Sequence, residues 1–415
     1  MTSANCTYRV GSLLVGRDRW IRSATVGVRS GRIVGLASGR AAGARLERDL
    51  GGPALDLGPG LLAPGWVNAH AHLELGALAG RVRARSFGSW IPELMAERAA
   101  CSRQELREGL RQDADRLLAA GATAVGDNDS LGLSAAVLRR HPLHARVFRE
   151  ALDAGDPART AQALRRAQPG ADGPRLRFGL APHAPFTVSM GLMQRLARLA
   201  RRRRLPVSVH YAESRDERQW LLRGAGPLAR ILGESPRREG LELLDEAGLL
   251  GPGTLLVHAN LPGPGDPDRI RRSGATVVHC PGSHRWFRRR PFDLEGWLER
   301  GVPVALGTDS SASNAGLDMR RELALASAAA PGVDPAMLLD CGTRVGAEAL
   351  GFGRSTGRLE EGRRLDAYVT VESARSRRAA CELVVQGQPA LAGVFVDGGL
   401  EWDDGPQGLA GILRP

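Results

Sequence analysis

Histidines at the ends of short apolar runs are the first residues here with chemical content. Trp66-Val67-Asn68-Ala69-His70-Ala71-His72 reads as a buried strand ending in His-x-His. On an extended backbone, residues two apart share a face, so both imidazoles can turn to one ion. His210, His258, His279 and Asp309 each end a further apolar run. Three imidazoles and one carboxylate suit a borderline divalent ion and leave a position for water. The expected ligands are His70, His72, His210 and Asp309, holding one Zn²⁺, with Fe²⁺ as the alternative ion. Such an ion draws the pKa of bound water towards neutrality, and a leaving group then needs a proton returned. Glu213, three residues past His210, is spaced to shuttle it. Asp309 is expected to orient the water as well as hold the metal, and His258 to hydrogen-bond the water or the developing charge. Glu217, one turn beyond Glu213, is expected at the surface.

These residues need a frame. Eight strand-like runs, 65–70, 122–127, 145–151, 176–182, 206–211, 254–259, 275–280 and 303–308, alternate with helical stretches such as Gln104 to Ala120 and Gly191 to Arg204. Eight βα units predict an α/β fold, a (β/α)8 TIM barrel, whose active site gathers at the C-terminal ends of its strands. His70, His72, His183, His210, His258, His279 and Asp309 all fall there. His141 and His144 precede the third strand and are assigned no role. Residues 1–57 alternate apolar and polar positions between glycine turns, and the tail from 358 resumes that pattern in 366–371, 381–385 and 394–399. The expected domains are therefore 1–57 and 358–415, meeting as a small β-sandwich built from both chain ends, around a barrel at 58–357.

A formal charge of +12 invites a nucleic-acid reading, but all 57 basic residues are arginine and most are scattered. That pattern fits codon bias and a solvated surface better than a nucleic-acid site. Without lysine there is no Schiff base, no phosphate-loop lysine and no carbamylated lysine bridging two metals. Five well-separated cysteines point to reduced thiols, and no apolar run approaches the roughly 18 residues of a membrane span. The N-terminus lacks a signal peptide's basic start and apolar centre, so a cytoplasmic address is expected, with a small molecule as partner and neither nucleic acid nor membrane.

Pro64 to His72, Pro182-His183-Ala184-Pro185-Phe186-Thr187-Val188-Ser189, His210-Tyr211-Ala212-Glu213-Ser214, Val257-His258-Ala259-Asn260, His279-Cys280-Pro281 and Gly307-Thr308-Asp309-Ser310 together resemble the amidohydrolase superfamily, in its cytosine deaminase and chlorohydrolase-like branch. The resemblance spans nearly the whole chain. It implies a single-metal hydrolase with the ligands above, Glu213 as proton shuttle, His258 beside the attacking water and His183 against a substrate ring, and it makes a homodimer plausible. His-Leu-Glu-Leu at 72–75, Phe87-Gly88-Ser89-Trp90 and Cys280-Pro281-Gly282-Ser283-His284 look most like aminodeoxyfutalosine deaminase-like proteins of menaquinone synthesis. The function expected is deamination of an aromatic, purine-like ring. Removal of halide or opening of a cyclic amide on the same scaffold is the alternative, and a non-catalytic nucleic-acid-binding barrel ranks last, since it needs no proton shuttle. Glu74 would share the histidines' face if the strand continued, binding a substrate hydroxyl or amine or else capping a loop. Trp90 lies over the pocket or in the core. Ser283 and His284 are candidates to hydrogen-bond the substrate. The run Arg288 to Arg290 would shape a loop for an anionic substrate or, preferably, sit at the surface.

Overall fold

The computed structural model describes residues 5–404 and Leu409. Strands β1 (Cys6–Gly16), β2 (Arg19–Arg29) and β3 (Arg32–Ser38) form an antiparallel meander. β4 (Ala54–Asp56) and β5 (Leu61–Pro64) pair with β1 in parallel. The barrel strands follow: β6 (Trp66–Ala71), β7 (Ala122–Asp129), β8 (His144–Ala151), β9 (Leu176–Pro182), β10 (Val207–Tyr211), β11 (Thr254–His258), β12 (Thr276–His279) and β13 (Val304–Leu306). The chain then adds β14 (Ala367–Thr370), β15 (Leu391–Val396) and β16 (Gly399–Asp403).

Contacts group the chain into two compact units, one of Met1–Asn68, Asp115–Ala124 and Asp318–Pro415, the other of Ala69–Ala114 and Val125–Leu317. In the first, strands from both chain ends share one mixed sheet, ordered β16-β15-β14-β5-β1-β2-β3 with β4 on β1. Its core draws Tyr8, Leu13, Val26 and Ile33 from one end and Leu365, Val369 and Phe395 from the other. The rings of Tyr8 and Phe395 meet edge to face at 5.2 Å. Asp397 and Gly398, both at positive φ (52° and 77°), make the tight turn from β15 to β16. One expectation fails here. Residues 381–385 lie inside a helix, Arg377–Gln386, started by the Ser376 hydroxyl accepting from the Ala379 amide. The buried positions Ala380, Cys381, Val384 and Val385 follow a helical period, which a five-residue apolar run is too short to distinguish from a strand's.

The second sheet runs β13-β12-β11-β10-β9-β8-β7-β6, consecutive strands side by side, each within three residues of its expected bounds. Ala71 bridges to Asp309 in parallel and closes the ring of strands, giving a TIM barrel. The amides of Thr308 and Asp309 donate to the His70 carbonyl at 3.0 and 3.1 Å. Gly307 permits that closure, because a Cβ there would stand 2.8 Å from the His70 carbonyl oxygen. Most of the strands are largely apolar because helices cover the outer face and side chains fill the inside, while β7 and β8 also carry charged residues. The expected helices occur at Arg103–Ala119 and Met190–Arg203; the arginines crowd the last turn of the latter, where cations suit the helix dipole. Parallel pairing puts the strand ends at one mouth, with Ala151 opposite Pro182, Tyr211 opposite His258 and His279 opposite Leu306.

Candidate active site

At that mouth the structure brings together His70, His72, His210, His258 and Asp309. Donor atoms of His70, His72 and His210 lie within 4.8 Å of one another, as do those of His70, His258 and Asp309. His72 and His210 face each other through their Nε2 atoms at 3.1 Å. The Nδ1 of His210 lies 2.8 Å from the His183 carbonyl, which can only accept, so Nδ1 carries the proton and Nε2 presents a lone pair. Asp309 Oδ1 is 3.8 Å from His70 Nε2 and 3.9 Å from His72 Nε2. Its Oδ2 accepts the hydroxyls of Ser283 at 2.6 Å and Ser313 at 2.9 Å, which turns Oδ1 towards the imidazoles.

This donor set fits a divalent cation. Burial is the largest cause holding the His70, His72 and His258 imidazoles below their ordinary range, so they stay neutral and nucleophilic towards a metal. Burial would push the Asp309 carboxyl up, but its contact with His70 and the imidazoles of His258 and His72 holds it well below the usual range. The backbone is bent to the same end. Ala212 (49°), His258 (77°), Ala259 (47°) and Asp309 (60°) all take positive φ at or just past the ends of β10, β11 and β13. Each such turn costs on the order of 1–3 kcal/mol for a residue with a Cβ, and such strain collects where side-chain direction matters.

Glu213 is buried, its Oε1 lying 3.8 Å from His258 Nε2 and 2.8 Å from Arg289 Nη2. Burial raises its carboxyl, and Arg289 and His210 pull it back down. Glu217 is only 1% exposed, which corrects its expected surface position. Its carboxylate accepts the amides of Ala212 (3.1 Å), Glu213 (2.7 Å) and Ser214 (3.4 Å), while its own amide donates to the Ser214 hydroxyl. The result is a capping box on the helix Arg215–Arg223 that also fixes the Glu213 backbone.

The candidate substrate residues divide. The His183 ring centre is 4.9 Å from that of His210 and 6.1 Å from that of Phe186, and its Nδ1 pairs with Thr187 Oγ1 at 2.7 Å. Trp90 is half-buried; its indole N–H donates to the Ala312 carbonyl at 3.2 Å, and its ring meets Phe287 at 5.5 Å. The Ser283 hydroxyl faces Asp309, as described above. His284 Nδ1 lies 3.1 Å from Asn260 Oδ1, and burial pushes its imidazole down to about 4. His279 stands apart from the ligand group, stacked on Phe292 at 3.9 Å. Glu74 does not continue the strand. A 3-10 turn, Leu73–Leu78, begins after His72, so alternation no longer sets its direction. Its buried carboxylate holds the next strand's loop, through the Ser130 hydroxyl and the Leu131 amide at 2.9 Å.

Two residues escaped the sequence reading. Glu150, near the end of β8, has a carboxylate oxygen within 4.8 Å of ring nitrogens of His183 and His210. The available signal was the one acid of that strand, one residue before its C-terminal end. Arg289 is buried on Glu213, where a surface position was preferred; no local pattern marks a pairing between residues this far apart in sequence.

The sequence profile of the amidohydrolase family matches residues 61–400. An aminodeoxyfutalosine deaminase of Deinococcus radiodurans is 33% identical over 314 residues, 70% of this chain and 73% of its own. A 5-methylthioadenosine/S-adenosylhomocysteine deaminase of Thermococcus onnurineus is 28% identical over 325 residues, 76% of this chain and 72% of its own. Among solved structures, an adenosine deaminase from Xanthomonas campestris with bound zinc superposes with a TM-score of 0.79 at 25% identity, covering 96% of this chain and 93% of that one.

Proposed function

The chain belongs to the amidohydrolase family, and we propose that it is a metal-dependent aminohydrolase that replaces the amino group of a purine-like ring by oxygen, with 6-aminodeoxyfutalosine as the first candidate substrate. One observation carries this reading. A buried carboxylate, Glu213, stands 3.8 Å from His258, whose ring nitrogen groups with donor atoms of His70 and Asp309, where it can relay a proton between an attacking water and a ring nitrogen. His70, His72, His210 and Asp309 would hold one ion, Zn²⁺ in our reading since a zinc-bound relative shares the fold, and that ion would supply Lewis-acid activation of water.

The remaining chemistry belongs to side chains. His258 accepts a hydrogen bond from the attacking water and orients it. Glu213 takes the water proton and delivers it to the ring nitrogen next to the amine-bearing carbon. As the C–N bond breaks, the second water proton reaches the departing nitrogen, so that water and amine become ring oxygen and ammonia. His183 and Trp90 flank the ring, and Ser283, whose hydroxyl is spent on Asp309, supports the carboxylate. Glu74 and His284 shape the loops around the pocket. The reaction is assigned to the barrel segment 58–357, with 1–57 and 358–415 as its flanking β unit, in a cytoplasmic homodimer serving menaquinone biosynthesis. No helix among the described residues is long and apolar enough to cross a membrane.

The test is ammonia release from zinc-loaded protein offered 6-aminodeoxyfutalosine, S-adenosylhomocysteine, adenosine, guanine and cytosine. Rapid release from a 6-aminopurine compound supports the reading. No release from any of them, with metal confirmed bound, refutes it.

A further inference from the structure

One carboxylate oxygen of Glu213, the one nearer His258, is already engaged. Arg289 Nη2 donates to its Oε1 at 2.8 Å, and both side chains are about nine-tenths buried. That same Oε1 is the oxygen 3.8 Å from His258. A guanidinium and a substrate ring nitrogen therefore compete for one carboxylate oxygen. Stripping a guanidinium from a buried carboxylate leaves two unpaired charges, so displacement is costly unless another anion receives it.

The surroundings indicate what could. The Arg289 guanidinium carbon lies 4.9 Å from the centre of the Phe287 ring and 5.9 Å from that of Phe87. Phe87 and Phe287 are 6.2 Å apart, and Phe186 meets Phe87 at 6.4 Å. Phe186 leads on to His183 and His210. A continuous chain of ring contacts thus runs from His210 to Arg289. An amine-bearing ring at one end and an acidic group carried on an aromatic or apolar moiety at the other would match that row of rings. Arg289, as a planar fork, suits a carboxylate in particular.

We infer that Arg289 is a substrate-released latch, holding Glu213 until an anionic group on the substrate takes the guanidinium and frees Oε1 for the ring. The inference rests on the deaminase reading for its substrate end. It makes Arg289 a positioning residue, acting on chemistry through Glu213. Selectivity follows directly, because a neutral nucleoside must break the Arg289–Glu213 pair without offering anything in return.

The test uses zinc-loaded protein, wild type and Arg289→Met, which keeps the packing on Phe287 but removes the fork. Two substrates are compared: 6-aminodeoxyfutalosine, which carries a carboxylate on an aromatic ring, and 5′-methylthioadenosine, which carries no charge. For the acid, Arg289→Met should lower kcat/KM by about 10²-fold, mainly through KM. For methylthioadenosine it should raise kcat/KM, since the latch no longer has to be displaced. A structural role alone would lower both in parallel; that outcome, or no change in either, overturns the latch. Benzoate binding, followed by calorimetry on the same two proteins, does not depend on deamination. Binding by wild type at least tenfold tighter than by the variant supports the latch even if neither nucleoside releases ammonia, in which case only the deaminase reading falls. Equal benzoate binding overturns the latch.

Discussion

Glu217 offers the strongest check on how the site is held. Its carboxylate receives three backbone amides, those of Ala212, Glu213 and Ser214, in a pocket that leaves the residue 1% exposed. Each buried amide left without a partner costs about 1–3 kcal/mol. Glu217→Gln can turn its one oxygen to the Glu213 and Ser214 amides and lose only the bond to Ala212. Its expected cost is therefore about 1–3 kcal/mol, with kcat within a few-fold of wild type. Glu217→Ala strands all three amides, so its cost should be about three times larger. It also releases the backbone that aims Glu213, and a misplacement of about 1 Å there lowers kcat by on the order of 10²-fold. The unfolding midpoint and kcat of zinc-loaded protein measure both effects. Equal behaviour of the two variants, or wild-type behaviour of Glu217→Ala, would refute the argument. The pH dependence adds a second signature. Burial, then the neighbouring Glu213, pushes the Glu217 carboxyl up to about 8, against the pull of its three amides. A raised acid binds more protons folded than unfolded, so its stabilising contribution is complete below about 4.5 and lost as pH rises through about 8. Glu217→Gln should remove that slope.

Three further outcomes are expected. Glu213→Gln should retain metal, read by elemental analysis, while kcat falls by on the order of 10²-fold or more; near-normal turnover would exclude it as the shuttle. Asp309→Ala should impair metal retention and rate together, and an unaffected variant would remove Asp309 from the ligand set. Ser283→Ala takes one of two hydroxyls from Asp309 Oδ2 and should weaken metal affinity by about 10- to 100-fold in a chelator competition. A rise in KM with unchanged metal affinity would instead place Ser283 on the substrate.

The barrel was legible because most of its strands are largely apolar runs bounded by turns, with a polar residue at or just past the end of several. β9 ends at Pro182 as expected, whereas His144, expected just before the third strand, is the first residue of β8. Convergence of His70 and His72 follows from alternation alone. Beyond a strand's last residue that rule lapses: Glu74 turns with a 3-10 turn, and Glu217 is drawn in by a capping box written in Ser214 and Glu217 but aimed by the bend at Ala212. Residues 381–385 show the converse, where a short apolar run satisfies either period and the Ser376 cap decides. Arg289 was illegible for another reason. In a chain with 57 arginines, nothing local separates one that packs against a buried carboxylate from those that face water.

The bridge between Ala71 and Asp309 bears on how the protein is made. The first and last barrel strands meet there, and His70 and Asp309 flank the seam. Almost the whole barrel segment of chain must be ordered before these two residues are neighbours, so this contact is among the slowest to form in a fold rich in distant pairings. On the proposed ligand set, a partly assembled barrel would lack its one carboxylate, Asp309. If that set holds the ion as proposed, full-affinity uptake would report a closed ring of strands.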